Sequence, residues 1–181
     1  EGLLLGAVVS ATDAAAVFSI LRNRGVKLKG NVGTVLEFES GSNDPMAYFL
    51  TIALTGIIAS GQFETWNFIY LLVKGFLIGG AMGYSMGRLS HWVINNIKLG
   101  REGLYPVLVL GLAMFTYSAT HIIGGNGFVA IYLSALVLGS RDFIHKRSLL
   151  KFYDGQAWLM QIVLFLTLGL LVFPSRVIPL M

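Results

Sequence analysis

Long apolar runs separated by short polar segments occupy most of this chain. An α-helix needs about 20 apolar residues to cross the hydrocarbon core of a bilayer, and windows of this kind predict six transmembrane helices. The predicted helices cover about residues 2–21, 33–59, 67–88, 104–122, 127–140 and 157–173. The fifth is short for a full span, and the apolar residues Ile122 and Ile123 that precede it are expected to extend it. The pattern therefore predicts an all-α, polytopic membrane protein.

The composition agrees with this prediction. Hydrophobic residues make up 55% of the 181 residues and charged residues only 12%, whereas charged residues make up about 25% of an ordinary soluble domain. The mean hydropathy is +0.74. The chain contains no cysteine, which excludes disulfides, thiolate metal sites and cysteine nucleophiles within it.

The positions of the basic residues predict the orientation of the helices. Cytoplasmic loops of membrane proteins carry an excess of Lys and Arg, and here the basic residues lie in or beside the first, third and fifth loops. Topology thus explains the net charge of +4 without a nucleic-acid partner, because the charges form no continuous stripe. The residues concerned are Arg22, Arg24, Lys27, Lys29, Arg88, Lys98, Arg101, Arg141, Lys146, Arg147 and Lys151.

The two ends of the sequence suggest part of a longer protein. Glu1 is not an initiator methionine and leads directly into apolar sequence, and Met181 follows soon after the last predicted helix. The first helix also lacks the charged start and the small-residue cleavage site of a signal peptide. We therefore expect the chain to be an internal fragment.

Polar residues interrupt the first predicted helix at Ser10-Ala11-Thr12-Asp13. Ser, Thr and Asp favour helix ends, where their side chains bond to free backbone groups, so we predict that the helix breaks here. At membrane depth, free backbone groups are tolerated only where they line a cavity or bind a ligand. The alternative is an unbroken helix in which Thr12 and Asp13 face a polar neighbour.

The second predicted helix carries the largest group of polar residues at membrane depth, where ionisable side chains are rare and mark functional sites. Glu39 and Asn43 are four residues apart and share a helix face, whereas Asn43 and Asp44 project roughly 100° apart. Pro45 cannot donate to the carbonyl of Gly41, so we expect a local helix defect and a free carbonyl beside Asp44. The polar set is Glu37, Glu39, Ser40, Ser42, Asn43 and Asp44.

Oxygen ligands, one negative charge and a helix defect suit a hard monovalent cation. This segment is therefore a candidate cation site centred on Asp44. The alternative is an ion pair between Asp44 and Lys74 of the third predicted helix. Glu37 lies about two turns nearer the cytoplasmic end, where it either helps cations to enter or is a solvated residue of no special role.

The sequence motifs resemble those of a known family. Ser10-Ala11-Thr12-Asp13, a basic loop and then Phe38-Glu39-Ser40-Gly41-Ser42-Asn43-Asp44-Pro45, in this order on consecutive helices, are similar to the monovalent cation:proton antiporter-1 family. Within it, the chain most resembles NhaP-type antiporters, especially the bacterial potassium/proton subgroup.

The resemblance implies part of a NhaA-like antiporter fold with a broken helix in the first span. Residues 1–60 would be half of the ion-translocating core, and residues 61–181 would be linking helices and scaffold helices that form a homodimer. It also implies a transporter rather than an enzyme: electroneutral exchange of potassium or sodium for protons across the bacterial inner membrane, with no cofactor. A monovalent cation channel is the alternative from another class.

The resemblance also assigns roles to particular residues. It places the monovalent cation at Asp44, Thr12 and Ser40, with the backbone near Asp13 as a further ligand. Asn43 occupies the position that marks electroneutral members of the family.

Glu39 corresponds to a structural acid that pairs with an arginine on a later helix in the family. The later helices here contain no arginine that matches, because Arg176 lies outside the last predicted helix. We therefore expect Glu39 to be unpaired in this chain.

Glycines predict close packing in the third helix and a turn after the fourth. Small residues at every fourth position let membrane helices approach closely, and glycine clusters with asparagine form tight turns. The two sets are Gly75, Gly79, Gly83 and Gly87, and Gly124-Gly125-Asn126-Gly127.

One enzyme alternative comes from Gly83-Tyr84-Ser85-Met86-Gly87, which matches the G-x-S-x-G sequence of a nucleophile elbow. An intramembrane serine protease would use Ser85 with His121 as base. The elbow requires a strand-to-helix turn, whereas this match lies in an apolar helix whose glycine spacing already explains it.

Overall fold

The computed structural model describes residues 2–12, 28–60 and 65–171, and the regular elements in these ranges are α-helices. The prediction of an all-helical fold is confirmed for this part of the chain. The helices are α1 (Gly2–Val9), α2 (Val32–Ser60), α3 (Thr65–Asn96), α4 (Leu104–Ile122), α5 (Gly127–Gly139) and α6 (Lys146–Leu171).

Several of these helices are suited to a membrane. Within the described ranges, the segment Phe68–Asn96 of α3, the whole of α4 and the whole of α6 are long and apolar enough to cross a bilayer. α5 is apolar but has only 13 residues, a length of about 20 Å against a hydrocarbon core of roughly 30 Å. The multi-pass membrane character is confirmed, and the number of six spans stays a prediction.

Two helix boundaries differ from the predicted ones. α3 continues eight residues beyond the predicted end at 88, and α6 starts at Lys146 instead of 157. The reason is a buried cluster at this end of the molecule, in which Ile94, Tyr105 and Leu149 pack together with at most 4% of each residue exposed. These added turns are helical because one face is buried, although their average hydropathy is too low for a membrane window.

The connection between α4 and α5 is a tight turn, as predicted. Gly124 adopts a positive φ of 83°, a conformation that glycine reaches without strain. The Asn126 side chain then caps α5 by accepting hydrogen bonds from the amides of Phe128 and Val129 at 3.0 and 3.3 Å. The expectation that Ile122 and Ile123 extend the fifth helix is therefore wrong, because the chain reverses direction after them.

The glycines of α3 pack against α5, which confirms the packing prediction. The Gly75 carbonyl accepts a hydrogen bond from the amide of Asn126 at 2.9 Å, and a Cβ at Gly87 would lie 2.7 Å from the Val137 side chain. Gly79 and Gly83 are equally close to the start of α5 and its second turn. Since the start of α3 meets the start of α5 and the later turns meet in the same order, the two helices run parallel at backbone contact distance.

α2 packs against α1 and also contacts α5. The ring of Tyr132 lies against Gly41, where an added side chain would clash with it. Further along α2, the rings of Tyr48 and Phe128 make an edge-to-face contact with centroids 4.5 Å apart. The order of these contacts shows that α2 and α5 run antiparallel.

Candidate functional site

The first helix ends where the sequence predicted a break. α1 stops at Val9, and the Ser10 hydroxyl donates a 2.7 Å hydrogen bond to the carbonyl of Ala7 in its last turn. The residues up to Thr12 lie outside a helix. Asp13, and with it the predicted backbone ligand, lies outside the described residues.

Thr12 is held by two side chains of α2. The Ser40 hydroxyl, which is buried, donates a short hydrogen bond to the Thr12 carbonyl. The Asn43 side-chain amide donates to the Thr12 hydroxyl at 2.6 Å. The structure thus brings together three of the predicted site residues, Thr12, Ser40 and Asn43, at the junction between the end of α1 and α2.

The side-chain oxygen of Asn43 lacks, among the described residues, the hydrogen bond that buried polar atoms usually make. Its Oδ1 is buried and has no hydrogen-bond partner among the described residues, whereas about nine in ten buried polar atoms have one. The amide nitrogen on the same side chain is fully used by Thr12 and Glu39. An acceptor oxygen is therefore available beside the end of α1.

Glu39 makes a hydrogen bond with Asn43. Its Oε1 accepts a hydrogen bond from the Asn43 amide at 3.2 Å, as their shared helix face allows. Within the described part of the chain, the ion pairs within 4 Å are those of Glu102 with His145 and of Asp142 with Lys146. That Glu39 lacks an arginine partner in this chain stays a prediction.

Asp44 follows Asn43 and lies on an exposed part of α2 beside this junction. The predicted helix defect is smaller than expected, because α2 continues through Pro45 to Ser60. The loss is limited to the hydrogen bond that Pro45 cannot donate to the Gly41 carbonyl, and the proline ring itself is buried. Glu37 is in the same helix, and its side chain lies outside what the structure describes.

Lys74, the alternative partner of Asp44, lies near the turn between α4 and α5. Its ammonium is 5.8 Å from the centroid of the Tyr70 ring and close to Gly124. These contacts give no support to an Asp44–Lys74 ion pair.

A cavity of about 260 Å³ lies between α2, the start of α3 and the turn that joins α4 to α5. Aromatic rings form much of its wall: Phe128 contacts Tyr48 and also Tyr117, whose ring centroid is 5.2 Å away. Neither this cavity nor the contact between Gly41 and Tyr132 was predicted from the sequence. The available signal was the spacing of Phe128 and Tyr132, one turn apart on α5, but a single sequence does not show which helix they face.

The two residues of the protease alternative lie apart. Ser85 donates to the Met82 carbonyl within α3, whereas His121 stacks on Tyr117 and lines the cavity near Gly75. Ten residues of α3 separate Gly75 from Ser85, which is about 15 Å along the helix axis.

The apolar helices, together with the polar junction of α1 and α2, define a multi-pass membrane protein. The chain belongs to the sodium/hydrogen exchanger family, whose transmembrane domain matches residues 1–180. The sequence resemblance is thereby confirmed.

Individual relatives support the same family assignment. The chain is 43% identical to the K⁺/H⁺ antiporter NhaP of Alkalimonas amylolytica over 98% of its length, and 43% identical to the K⁺/H⁺ antiporter NhaP2 of Shewanella baltica, also over 98%. It is 27% identical to the Na⁺/H⁺ antiporter NhaG of Bacillus atrophaeus over 92%. It spans 31 to 33% of the length of these relatives. No solved structure matches the chain.

These relatives are transporters rather than enzymes, as the sequence predicted. Among residues 2–12, 28–60 and 65–171, no group of three or more His, Cys, Asp and Glu side chains is arranged to hold a metal ion. A site for a monovalent cation is of another kind, because it is built from a carboxylate with hydroxyl, amide and carbonyl oxygens.

Proposed function

We propose that the protein of which this chain is a part exchanges a monovalent cation for a proton across the bacterial inner membrane. Asp44 is the carboxylate that binds the two ions in turn. The observation that carries the proposal is the junction at Thr12, where the end of α1 is tied to Ser40 and Asn43 of α2 beside Asp44. Irregular backbone at membrane depth next to a carboxylate is the arrangement in which transporters coordinate cations.

The ligands are oxygens supplied by both helices. Asp44 contributes the negative charge, and Thr12 and Ser40 contribute hydroxyl and carbonyl oxygens, with the backbone near Asp13 as a further source. The Ser40 hydroxyl donates to the Thr12 carbonyl, so the oxygens of these two residues lie together. The buried Oδ1 of Asn43 is a further neutral oxygen at the same place.

A single carboxylate explains one-for-one exchange. A proton or a monovalent cation neutralises Asp44, and a neutral site moves through the low-dielectric part of the membrane at far lower cost than a bare carboxylate. The protein therefore changes conformation only when the site is occupied. Since Asn43 adds no second negative charge, no net charge crosses the membrane, and the membrane potential does not drive the cycle.

Potassium is the first cation to test. The two relatives at 43% identity are named K⁺/H⁺ antiporters, whereas the relative at 27% is named a Na⁺/H⁺ antiporter. The ligand types do not separate the two ions, because both prefer oxygen.

The architecture that goes with this function is a NhaA-like fold in which a core moves against a scaffold. Residues 1–60 belong to the core, and residues 61–181 form linking and scaffold helices that make a homodimer. The narrow contact between α2 and α5, through Gly41 with Tyr132 and Tyr48 with Phe128, supports relative movement of the two parts. Glu37, about two turns nearer the cytoplasmic end of α2, would help cations to enter from that side.

Transport by the full-length parent protein in inverted vesicles tests the proposal. The variants are Asp44→Asn, which keeps the size of the side chain but not its charge, and Asp154→Asn on α6 as the matched control. We expect Asp44→Asn to abolish K⁺/H⁺ and Na⁺/H⁺ exchange and Asp154→Asn to retain it. Normal exchange by Asp44→Asn contradicts the site, and large cation currents through the wild type would identify a channel instead.

A further inference from the structure

Two aromatic residues of α5 lie on opposite sides of Asp44 along α2. Gly41, Asp44 and Tyr48 are three and four residues apart, so they share one side of α2. Gly41 contacts the ring of Tyr132, and Tyr48 contacts the ring of Phe128. Along the helix axis, Asp44 is therefore about 4.5 Å from the first contact and about 6 Å from the second.

The contact between Tyr48 and Phe128 separates Asp44 from the cavity. The cavity walls include Phe49, Ile52 and Ala53, which follow Tyr48 on α2, and His121 and Asn126 at the turn between α4 and α5. Its volume of about 260 Å³ has room for several water molecules, each of which occupies about 30 Å³ in the liquid. Hydrated ions could thus enter from the turn side and reach the ring pair.

We propose that Phe128 and Tyr132 are two barriers to ion movement, one on each side of Asp44 along α2, and that the cavity beyond Phe128 is the vestibule for a partly hydrated monovalent cation. The proposal rests on the proposed function, in which Asp44 binds that cation. The loops rich in Lys and Arg are predicted to be cytoplasmic. The turn between α4 and α5, which borders the vestibule, therefore lies on the non-cytoplasmic side. Phe128 with Tyr48 is then the outer barrier, and Tyr132 against Gly41 is the inner one.

The geometry of each contact explains how it excludes ions. The rings of Tyr48 and Phe128 meet edge to face with centroids 4.5 Å apart, a close aromatic contact across the path from the cavity. The Tyr132 ring fills the space that a side chain at position 41 would need. Because the two contacts lie on opposite sides of Asp44, a movement of α2 along α5 that separates one pair can leave the other closed.

Thiol labelling tests this assignment without relying on transport. The intact transporter carries Asp44→Cys as the reporter, and cysteines outside these residues are replaced, since this chain has none. A membrane-impermeant thiol reagent is added from one side of the membrane at a time. Phe128→Ala and Tyr132→Ala are introduced separately, with Phe115→Ala, an exposed aromatic residue of α4, as the matched control.

We expect Phe128→Ala to speed labelling from the non-cytoplasmic side by about tenfold or more, the effect of lowering a barrier by about 1.4 kcal/mol. Tyr132→Ala speeds labelling from the cytoplasmic side only, and Phe115→Ala changes neither rate. If Phe128→Ala does not fold, Tyr48→Leu removes the same ring contact from α2 and gives the same result.

Equal labelling rates in the Phe128, Tyr132 and Phe115 variants overturn the proposal, as does an increase from the wrong side. These outcomes concern access to position 44 alone. A failure of the proposed function shows in a different experiment. In that case Asp44→Asn exchanges ions normally, while the labelling rates still change as expected.

Discussion

The side-chain amide of Asn43 donates a hydrogen bond to the hydroxyl of Thr12 across 2.6 Å. These residues are 31 positions apart in the chain, and their contact joins the irregular end of α1 to the middle of α2. The Ser40 hydroxyl reinforces it by donating to the carbonyl of the same threonine. Thr12 is therefore one point at which the end of α1 is attached to the helix that carries Asp44.

The Thr12 hydroxyl is expected to matter for cation affinity. Thr12→Val keeps the shape of the side chain and removes one ligand and one hydrogen bond, a loss of about 1 to 1.5 kcal/mol. We expect the apparent KM for K⁺ to rise roughly fivefold to tenfold, measured by exchange in inverted vesicles. Thr12→Ser keeps the hydroxyl and serves as the control, and equal KM values for the two variants contradict the role of the hydroxyl.

The glycine contact between α3 and α5 is expected to be sensitive to size. A Cβ at Gly83 would lie 2.6 Å from the Ala130 carbonyl oxygen, whereas a Cβ at Gly111 of α4 meets nothing within 4 Å. Gly83→Val must therefore push two helix backbones apart, at a cost of about 1 to 3 kcal/mol. Thermal unfolding in detergent should show a lower Tm for Gly83→Val than for Gly111→Val. Similar Tm values would mean that the two helices do not pack as described.

The contribution of the buried cluster of Ile94, Tyr105 and Leu149 to stability can also be measured by unfolding. Leu149 is 3% exposed, and its neighbour Leu150 is 55% exposed. Leu149→Ala leaves a cavity beside Ile94 and Tyr105, so we expect it to lower the free energy of unfolding by about 2 to 5 kcal/mol. Leu150→Ala is the matched control, with an expected change of about 0.5 kcal/mol or less. A comparable loss in both variants would show that the cluster is not the source of stability.

The local features of the site could be predicted from the sequence, because they depend on helix geometry. Ser10 and Thr12 favour a helix end, and the end of α1 lies there. Glu39 and Asn43 are one turn apart, and they are hydrogen-bonded. The spacing of the glycines in α3 likewise indicated a helix contact, although not that α5 is the partner.

The features that the sequence did not reveal depend on tertiary packing. The first turns of α6 contain Lys146, Arg147 and Lys151, so a hydropathy average places them in a loop. One buried residue, Leu149, makes them helical instead. The aromatic contacts between α2 and α5 depend on which helices are neighbours, and the periodicity of one helix does not specify its partner.

The dependence of K⁺ affinity on pH tests most directly whether Asp44 is shared by proton and cation. If both bind the same carboxylate, they compete, so lowering the pH raises the apparent KM for K⁺ and saturating K⁺ restores the rate. In the full-length transporter we expect this KM to rise by up to about tenfold for each unit of decrease in pH through the acidic range. An apparent KM that stays constant while the rate at saturating K⁺ falls would show that protons act at another site.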